Sequence, residues 1–409
     1  MSPARRRIAV ELPQELRRPG VDEVGFLLRA MYGTRDAATC WEAEIATMLV
    51  DVLGFVQGRA TPCNFYHEGR CLRVNVHGDD FETLGPISEL KWFAEQLKAR
   101  WLVVERGILG PRDIEGTTQQ IRHLNRIICW TSEGITWEPD PRHADLVVTG
   151  LGVSQRVSTP LVKEKLDDDD DDEPLPPEEV KMFQSLTMRL GYLSQDRPDL
   201  QRAVRELAKG MSSPLQRHQM ILKRVGRYLL THPRCVQLIP FQSSITRLMT
   251  YCDTDHAGCI RTRKSTTGVV VMLGEAVLRT VCRGQSLIAL SSGEAEFYGL
   301  VTGVSETLGE QSIALDWGIK FGIQMRMDAT AGAAIGSRRG LGRVKHLSTI
   351  FLWAQEFVTS GKVKITKVHT SENYADILTK AVSGPLLTNM MTSMKFRFLG
   401  GRSRMALTA

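Results

Sequence analysis

Four acidic residues in the last 160 positions each fall where a strand is expected to end or a helix to begin. Asp253 lies in Tyr251-Cys-Asp-Thr-Asp-His-Ala-Gly258 and Glu296 in Ser291-Ser-Gly-Glu-Ala-Glu296. Asp328 lies in Met327-Asp-Ala-Thr330 and Asp376 in Ala375-Asp-Ile-Leu-Thr-Lys380. Carboxylates that converge from element ends can hold two divalent cations, and such a pair clamps a phosphodiester for in-line attack by water.

The elements around these acids have a readable order. Arg247–Cys252, Thr267–Leu273 and Ala276–Cys282 read as strands joined by short turns, which predicts an antiparallel meander. A helix from Ser292 to about Phe321 follows, then strand Ile323–Met327 and helix His346–Ser360. Strand Lys362–Val368 and helix Asn373–Val382 complete the block. The order β-β-β-α-β-α-β-α predicts an α/β (α+β) domain, a mixed five-stranded sheet covered by helices, over residues 244–384. If the first and fourth strands are parallel neighbours, Asp253 and Asp328 emerge at one sheet edge. Ser291 and Glu294 match a capping box, which gives Glu294 a structural role and leaves Glu296 for the edge. Asp255 is an alternative to Asp253, but it falls just past the expected strand.

Upstream the pattern changes. In residues 1–155, Glu23–Leu53 reads as one or two helices, Ser88–Leu97 as a helix and Trp101–Glu105 as a strand. Cys71–Val76 and Phe81–Leu84 flank His77-Gly-Asp-Asp80, a hairpin signal. Six consecutive aspartates, Asp167–Asp172, precede Glu173-Pro-Leu-Pro-Pro177. Like-charge repulsion and prolines predict a disordered acidic linker over residues 156–180. Over 181–240 Leu186, Leu190, Leu193, Leu200, Val204 and Leu207 recur at helical spacing, and Leu215–Leu230 is a basic helix. Residues 385–409 read as a tail.

The net charge of +6 rises to +15 when the nine acids of Asp167–Glu179 are set aside, which suits a polyanionic partner. No apolar run approaches the ~18 residues of a membrane span, and Met1–Arg7 leads into no signal-like core. An intracellular protein of the cytoplasm or nucleus, without a membrane partner, is expected. The eight cysteines are scattered without a C-x-x-C pair, so reduced thiols are expected. Cys252, His256 and Cys259 lie close together but lack an obvious fourth zinc ligand.

The segment from Tyr251 to Ala381 resembles the ribonuclease H (RNase H) domain of copia-type retrotransposon polyproteins. Arg263-Lys-Ser-Thr-Thr-Gly268, Gln285-Ser-Leu-Ile-Ala-Leu-Ser-Ser-Gly-Glu-Ala-Glu296, Lys345-His346 and Ala375-Asp-Ile-Leu-Thr-Lys380 fall in family order. The resemblance implies that Asp253, Glu296, Asp328 and Asp376 hold two Mg2+ (or Mn2+) ions and cut the RNA strand of an RNA–DNA hybrid. Arg338, Arg343 and Lys345 are candidate contacts to nucleic-acid phosphate. His256 stands where the family has Trp, and Leu347, Ile350 and Leu352 replace a polar pattern.

The resemblance extends upstream. Tyr192-Leu-Ser-Gln-Asp-Arg-Pro-Asp-Leu200 and Leu222-Lys-Arg-Val-Gly-Arg-Tyr-Leu229 are similar to the helical connection that precedes the RNase H domain. Leu53-Gly-Phe-Val-Gln-Gly58, with Cys63 to Tyr66, resembles the reverse-transcriptase palm, and His77-Gly-Asp-Asp80 its Tyr-x-Asp-Asp hairpin. Asp79 and Asp80 are then the remnant of a polymerase site. The family's further metal-binding Asp lies upstream of the segment that Ile8-Ala-Val-Glu-Leu-Pro13 matches, and Tyr32-Gly-Thr-Arg-Asp-Ala-Ala-Thr39 departs from the family pattern. The expectation is a truncated, degenerate palm followed by a complete RNase H-like domain. Two rivals are a catalytically dead nucleic-acid-binding remnant and a domesticated interaction protein that docks partners through the acidic linker.

Phosphoryl transfer needs charge stabilised on both the attacking and the leaving oxygen, and Asp79 and Asp80 supply one side only. The 409-residue chain is therefore expected to give no primer extension on an RNA template with all four nucleotides and Mg2+ or Mn2+. Extension above an Asp79→Asn, Asp80→Asn control would show that another acid completes the site.

Overall fold

Five consecutive apolar residues, Val269–Leu273, leave a strand no face to turn toward water, and this strand is buried on both sides. The computed structural model describes residues 3–163, 172–342, 344–346 and 349–403. In it the chain divides into two compact units, Met1–Arg106 with Gly309–Lys320, and Gly107–Leu308 with Phe321–Ala409.

The central sheet of the second unit is built from β1 (Arg247–Asp255), β2 (Thr266–Leu273), β3 (Ala276–Gly284), β4 (Gly322–Met327) and β5 (Val363–Lys367). Their spatial order is β3-β2-β1-β4-β5. The first three form the expected antiparallel meander, while β4 runs parallel to β1 and β5 parallel to β4. This is the mixed five-stranded sheet anticipated from the sequence.

The helices used below are α1 (Pro177–Leu193), α2 (Pro198–Lys209), α3 (Gln216–Thr231), α4 (Ser292–Asp316, of which residues through Leu308 belong to this unit), α5 (Thr330–Ser337), α6 (Trp353–Thr359), α7 (Asp376–Thr379) and α8 (Gly384–Ser393). On one sheet face Leu248, Cys252, Val269, Val271 and Met325 pack against Phe297, Leu300 and Val304 of α4. α4 comes close to β1 at Gly299 and Gly303, where a Cβ would meet Thr254 and the Cys252 thiol. On the other face Tyr251, Val270, Met272 and Val277 share one core with Phe183, Leu190, Leu207 and Leu222 of α1–α3 and with Ile377, Leu378 and Met390. The six apolar residues read at helical spacing in the connection are all buried.

Several expectations are corrected. The last seven residues of the expected helical connection, Arg234–Pro240, form a strand. It pairs on one side with Gly134–Glu138 and on the other with Phe396–Leu399, in a second antiparallel sheet that continues through Arg126–Trp130 to Gln120–His123. Residues 385–399 are thus not a tail: α8 buries Leu387, Met390 and Met391 before that final strand. Residues 107–155 belong to this second unit rather than to the palm-like block. The expected helix to Phe321 stops at Asp316, with Gly318 in the left-handed region (φ +73). His346–Ser360 narrows to a 3-10 turn, Thr349–Phe351, and α6. Asn373–Val382 narrows to α7, because Lys380 adopts extended backbone. Helix α5 was not anticipated. Aspartates 167–171 lie outside the described residues, but the flanks of the expected linker are packed. Leu161 and Leu175 are buried, and Asp172 accepts from the Arg217 N–H (3.1 Å).

In the first unit the expected hairpin is present as strands Leu72–His77 and Asp80–Leu84, with Gly78 at φ +64 in a two-residue turn. Ile45, Leu49, Phe65, Val74, Phe93 and Leu97 form its core, drawn from this sheet and from helices Ala37–Ala46 and Ile87–Arg100 with the turn Thr47–Val52. Within Glu23–Leu53, Val24–Phe26 is a short strand paired with Ala9–Glu11, not helix. Trp101–Glu105 is not a strand: it has no pairing partner, and Leu102 and Val104 are exposed. All eight cysteines are free thiols. Among the described residues no helix is long and apolar enough to cross a membrane.

Because the connection and the sheet share a core, they are expected to unfold together. Leu207→Ala in α2 should cost about 2–5 kcal/mol, read as a shifted denaturant midpoint that is the same by fluorescence and far-UV circular dichroism. Residues 244–384 expressed alone, with Val270, Met272 and Leu378 uncovered, should give no cooperative transition. A cooperative transition for that segment would refute the shared core.

Candidate metal centre

Parallel pairing of β1 with β4 ends with Cys252 opposite Met327, so the next residues, Asp253 and Asp328, stand side by side where the two strands part. Asp376 is the first residue of α7, which packs against β1 and β2. Each of the three offers a carboxylate oxygen within 4.8 Å of the others. Among the described residues this is the only grouping of three or more side chains suited to hold a metal ion. Asp253 is 2% and Asp376 5% exposed.

Neighbouring donors fix the carboxylates. The Thr379 hydroxyl donates to Asp253, and the Lys380 ammonium bridges Asp253 (3.2 Å) and Asp376 (3.1 Å). Asp328 accepts from Thr370 Oγ1 (3.1 Å) and Asn373 Nδ2 (3.4 Å), and Asn373 also donates to the Cys252 carbonyl (3.0 Å). The sequence reading missed Thr370, Asn373 and Thr379 and assigned no role to Lys380. Lys380 had a signal, since it lies one helical turn beyond Asp376.

Glu296 is the fourth acid. It lies in the second turn of α4, is nearly buried, and its Oε2 is buried without a hydrogen-bond partner. Helix α5 reaches it through Gly332, where a Cβ would collide with the Glu296 side chain. Glu294 faces elsewhere. Its amide donates to Ser291 Oγ (3.2 Å), and its carboxylate accepts from the Leu290 N–H (2.8 Å), the Tyr298 hydroxyl (2.6 Å) and His346 Nε2 (2.7 Å). The capping role therefore holds, shifted by one residue at its acceptor end. Asp255 is the last residue of β1 rather than past it, and it accepts from the Thr266 N–H outside the cluster.

Burial pushes the Asp253 carboxyl up, against the pull of Lys380 and Thr379. Burial, with Asp253 next, raises Asp376 to about 6, and burial with Asp253 and Asp328 raises Glu296 to about 8. Burial opposes charge on Lys380, yet Asp253 and Asp376 hold its ammonium above the ordinary range. A buried, all-oxygen donor set with excess negative charge and one unpartnered oxygen suits a hard divalent cation such as Mg2+ or Mn2+.

The other sequence candidates are not among the clustered acids. Asp79 and Asp80 are exposed in the first-unit hairpin, and among the described residues no third acid joins them. Arg338 is half-buried and donates to the Leu341 carbonyl (2.5 Å), Lys345 is exposed, and Arg343 lies outside the described residues. Cys252 is buried under α4, and His256 lies within hydrogen-bonding distance of the Ala289 carbonyl (3.2 Å).

No family model matches the chain. The Pol polyprotein of transposon RE2 from Arabidopsis thaliana is 28% identical over 375 residues, which are 88% of this chain and 24% of that polyprotein. The Pol polyprotein of transposon RE1 from the same plant is 26% identical over 382 residues, 90% of this chain and 25% of that polyprotein. The chain is similar to the retrovirus-related Pol polyproteins of transposons. It spans about a quarter of the length of those relatives. Among solved structures, the N-terminal RNase H domain of a Mycobacterium tuberculosis protein is 19% identical, with 37% of this chain and 99% of that one covered at a TM-score of 0.24.

The raised carboxyls set a pH dependence. Between the ordinary carboxylate value and about 8, folded Glu296 keeps a proton that the unfolded chain has released, and Asp376 does so up to about 6. The folded state binds more protons there, so cation-free stability falls as pH rises through that window. The denaturant midpoint in EDTA should therefore drop from about pH 5 to about pH 9. Glu296→Gln should flatten the upper part, and Mg2+ should offset the fall by replacing protons. Burial lowers His143, His218 and His232 and works in the opposite direction around pH 6, so a wild-type pH slope identical to that of Glu296→Gln would contradict the assignment.

Proposed function

We propose that this chain hydrolyses the RNA strand of RNA–DNA hybrids at the edge of the β3-β2-β1-β4-β5 sheet, in an RNase H-like domain over residues 244–384. The reading is carried by the convergence of Asp253, Asp328 and Asp376 within 4.8 Å, beside a Glu296 oxygen that is buried and unpartnered. In this reading Asp253, Glu296 and Asp328 would hold divalent cations, Mg2+ or Mn2+, and Asp376 would complete the second metal site. Such ions, when bound, offset charge that develops on the phosphodiester oxygens and favour ionisation of water.

The chain's own groups supply the rest. Thr379 and Lys380 hold Asp253, Asn373 and Thr370 hold Asp328, and this fixes where negative charge is presented. Water oxygen forms a new bond to phosphorus as the bond to the 3′ oxygen breaks. One proton leaves the water and one arrives on the departing oxygen, giving a 3′-hydroxyl and a 5′-phosphate. Arg338, Arg343 and Lys345, which follow α5 in the sequence, are the candidate phosphate contacts in this reading. Asp79 and Asp80, exposed and without a third acid among the described residues, carry no polymerisation in this reading.

The full 409-residue chain should cleave the RNA of a hybrid in Mg2+ or Mn2+ and spare single-stranded RNA. Glu296→Gln should lower the rate at least about a hundredfold, the order seen when a group that stabilises reaction charge is removed, with the fold intact. An unchanged rate in Glu296→Gln would sink the site. Salt-dependent hybrid binding without cleavage by the wild-type chain would favour a binding remnant instead.

A further inference from the structure

The sheet does not hold its carboxylate cluster alone. Arg202 belongs to α2, in the helical connection, and is 5% exposed. Its Nε donates to the Thr379 carbonyl (2.9 Å), its Nη1 donates to Glu206, and its Nη2 lies 3.8 Å from Asp255 Oδ2. Thr379 and Asp255 are both element ends. Thr379 closes α7, which begins at Asp376, and Asp255 closes β1 two residues past Asp253. From Thr379 the hydroxyl continues to Asp253, and from the next residue the Lys380 ammonium spans Asp253 and Asp376. A guanidinium is planar and presents its donors in fixed directions. One rigid group therefore sets the separation between the end of β1 and the end of α7.

We propose that Arg202 is a positioning residue for the metal centre: from the helical connection it clamps β1 to α7, so that Asp253 and Asp376 stay at a cation-binding separation. The proposal rests on the nuclease reading above. It differs from a buried ion pair that only stabilises α2, since the pair with Glu206 lies within that helix, four residues apart. It makes α2 part of the nuclease, although α2 contributes no metal ligand.

The test uses the full chain and three variants, Arg202→Met, Arg202→Lys and Glu206→Gln. Three quantities are read: Mn2+ affinity by calorimetry or electron paramagnetic resonance, thermal midpoint, and amide exchange across residues 376–380 without metal. The Lys380 N–H, bonded to the Asp376 carbonyl (2.9 Å), is the local reporter. Arg202→Met should weaken Mn2+ binding about 10–100-fold, the range for losing a group that orients a ligand, and should speed exchange at 376–380. Arg202→Lys, which keeps the charge without the fork, should lie between Arg202→Met and wild type, and it decides the matter if Arg202→Met does not fold. Glu206→Gln should lower the midpoint yet leave Mn2+ affinity and exchange at 376–380 near wild type. Unchanged affinity and exchange in Arg202→Met, wild-type values in Arg202→Lys when Arg202→Met does not fold, or an equal loss in Glu206→Gln, overturns the clamp. A wild-type chain that binds no Mn2+ overturns the nuclease reading instead, and the exchange data still decide the clamp.

Discussion

Asp253, Asp328 and Asp376 bring their oxygens within 4.8 Å of one another where little solvent reaches Asp253 and Asp376, and Glu296 stands close enough to feel two of them. Repulsion at that spacing is strong wherever water is excluded. Something positive must share the site, or some of the acids must stay protonated. The chain uses both answers at once: Lys380 lies between two of the carboxylates, while Asp376 and Glu296 are pushed toward their neutral forms. A divalent cation is a third answer, and the all-oxygen donor set is matched to it.

Holding repelling groups together requires a scaffold that does not yield. Here the scaffold is a sheet packed on both faces, by α4 on one and by the helical connection on the other. The connection therefore serves as half of the sheet's packing rather than as a tether. Gly299, Gly303 and Gly332 let α4 and α5 come close enough to carry Glu296 to the sheet edge, where larger residues would hold the helices away.

The strand order of the central sheet was legible because each strand carries its own signal. Val269–Leu273 is too uniformly apolar for a half-exposed strand, and Gly274 marks the turn to Ala276–Gly284. Asp253, Asp328 and Asp376 were legible as a cluster because each was read at an element boundary, although the strand of Asp253 runs on to Asp255. What failed was non-local. Arg234–Pro240 reads like the end of a helical block because its strand partners lie far away, at Gly134–Glu138 and Phe396–Leu399. Residues 385–399 look like a tail because nothing local shows which surface Leu387 and Met390 cover. The roles of Asn373 and Thr379 arise only from folding, since each reaches across to a β1 atom more than 120 residues earlier. Helix boundaries erred for a different reason: left-handed backbone at Gly318 and extended backbone at Lys380 override residues that would otherwise continue a helix.

The strand Phe396–Leu399 completes a sheet whose other strands were laid down long before it, and the entire β3-β2-β1-β4-β5 sheet lies between it and its partner Arg234–Pro240 in the sequence. A chain made from its N-terminus must carry that unpaired edge through the synthesis of the whole intervening domain. Closing so large a loop is entropically slow, and an open strand edge invites pairing with other chains. Maturation of this unit is thus gated by its final strand. Until residue 399 has left the ribosome tunnel, an edge of the second sheet remains available to a chaperone or to another nascent copy.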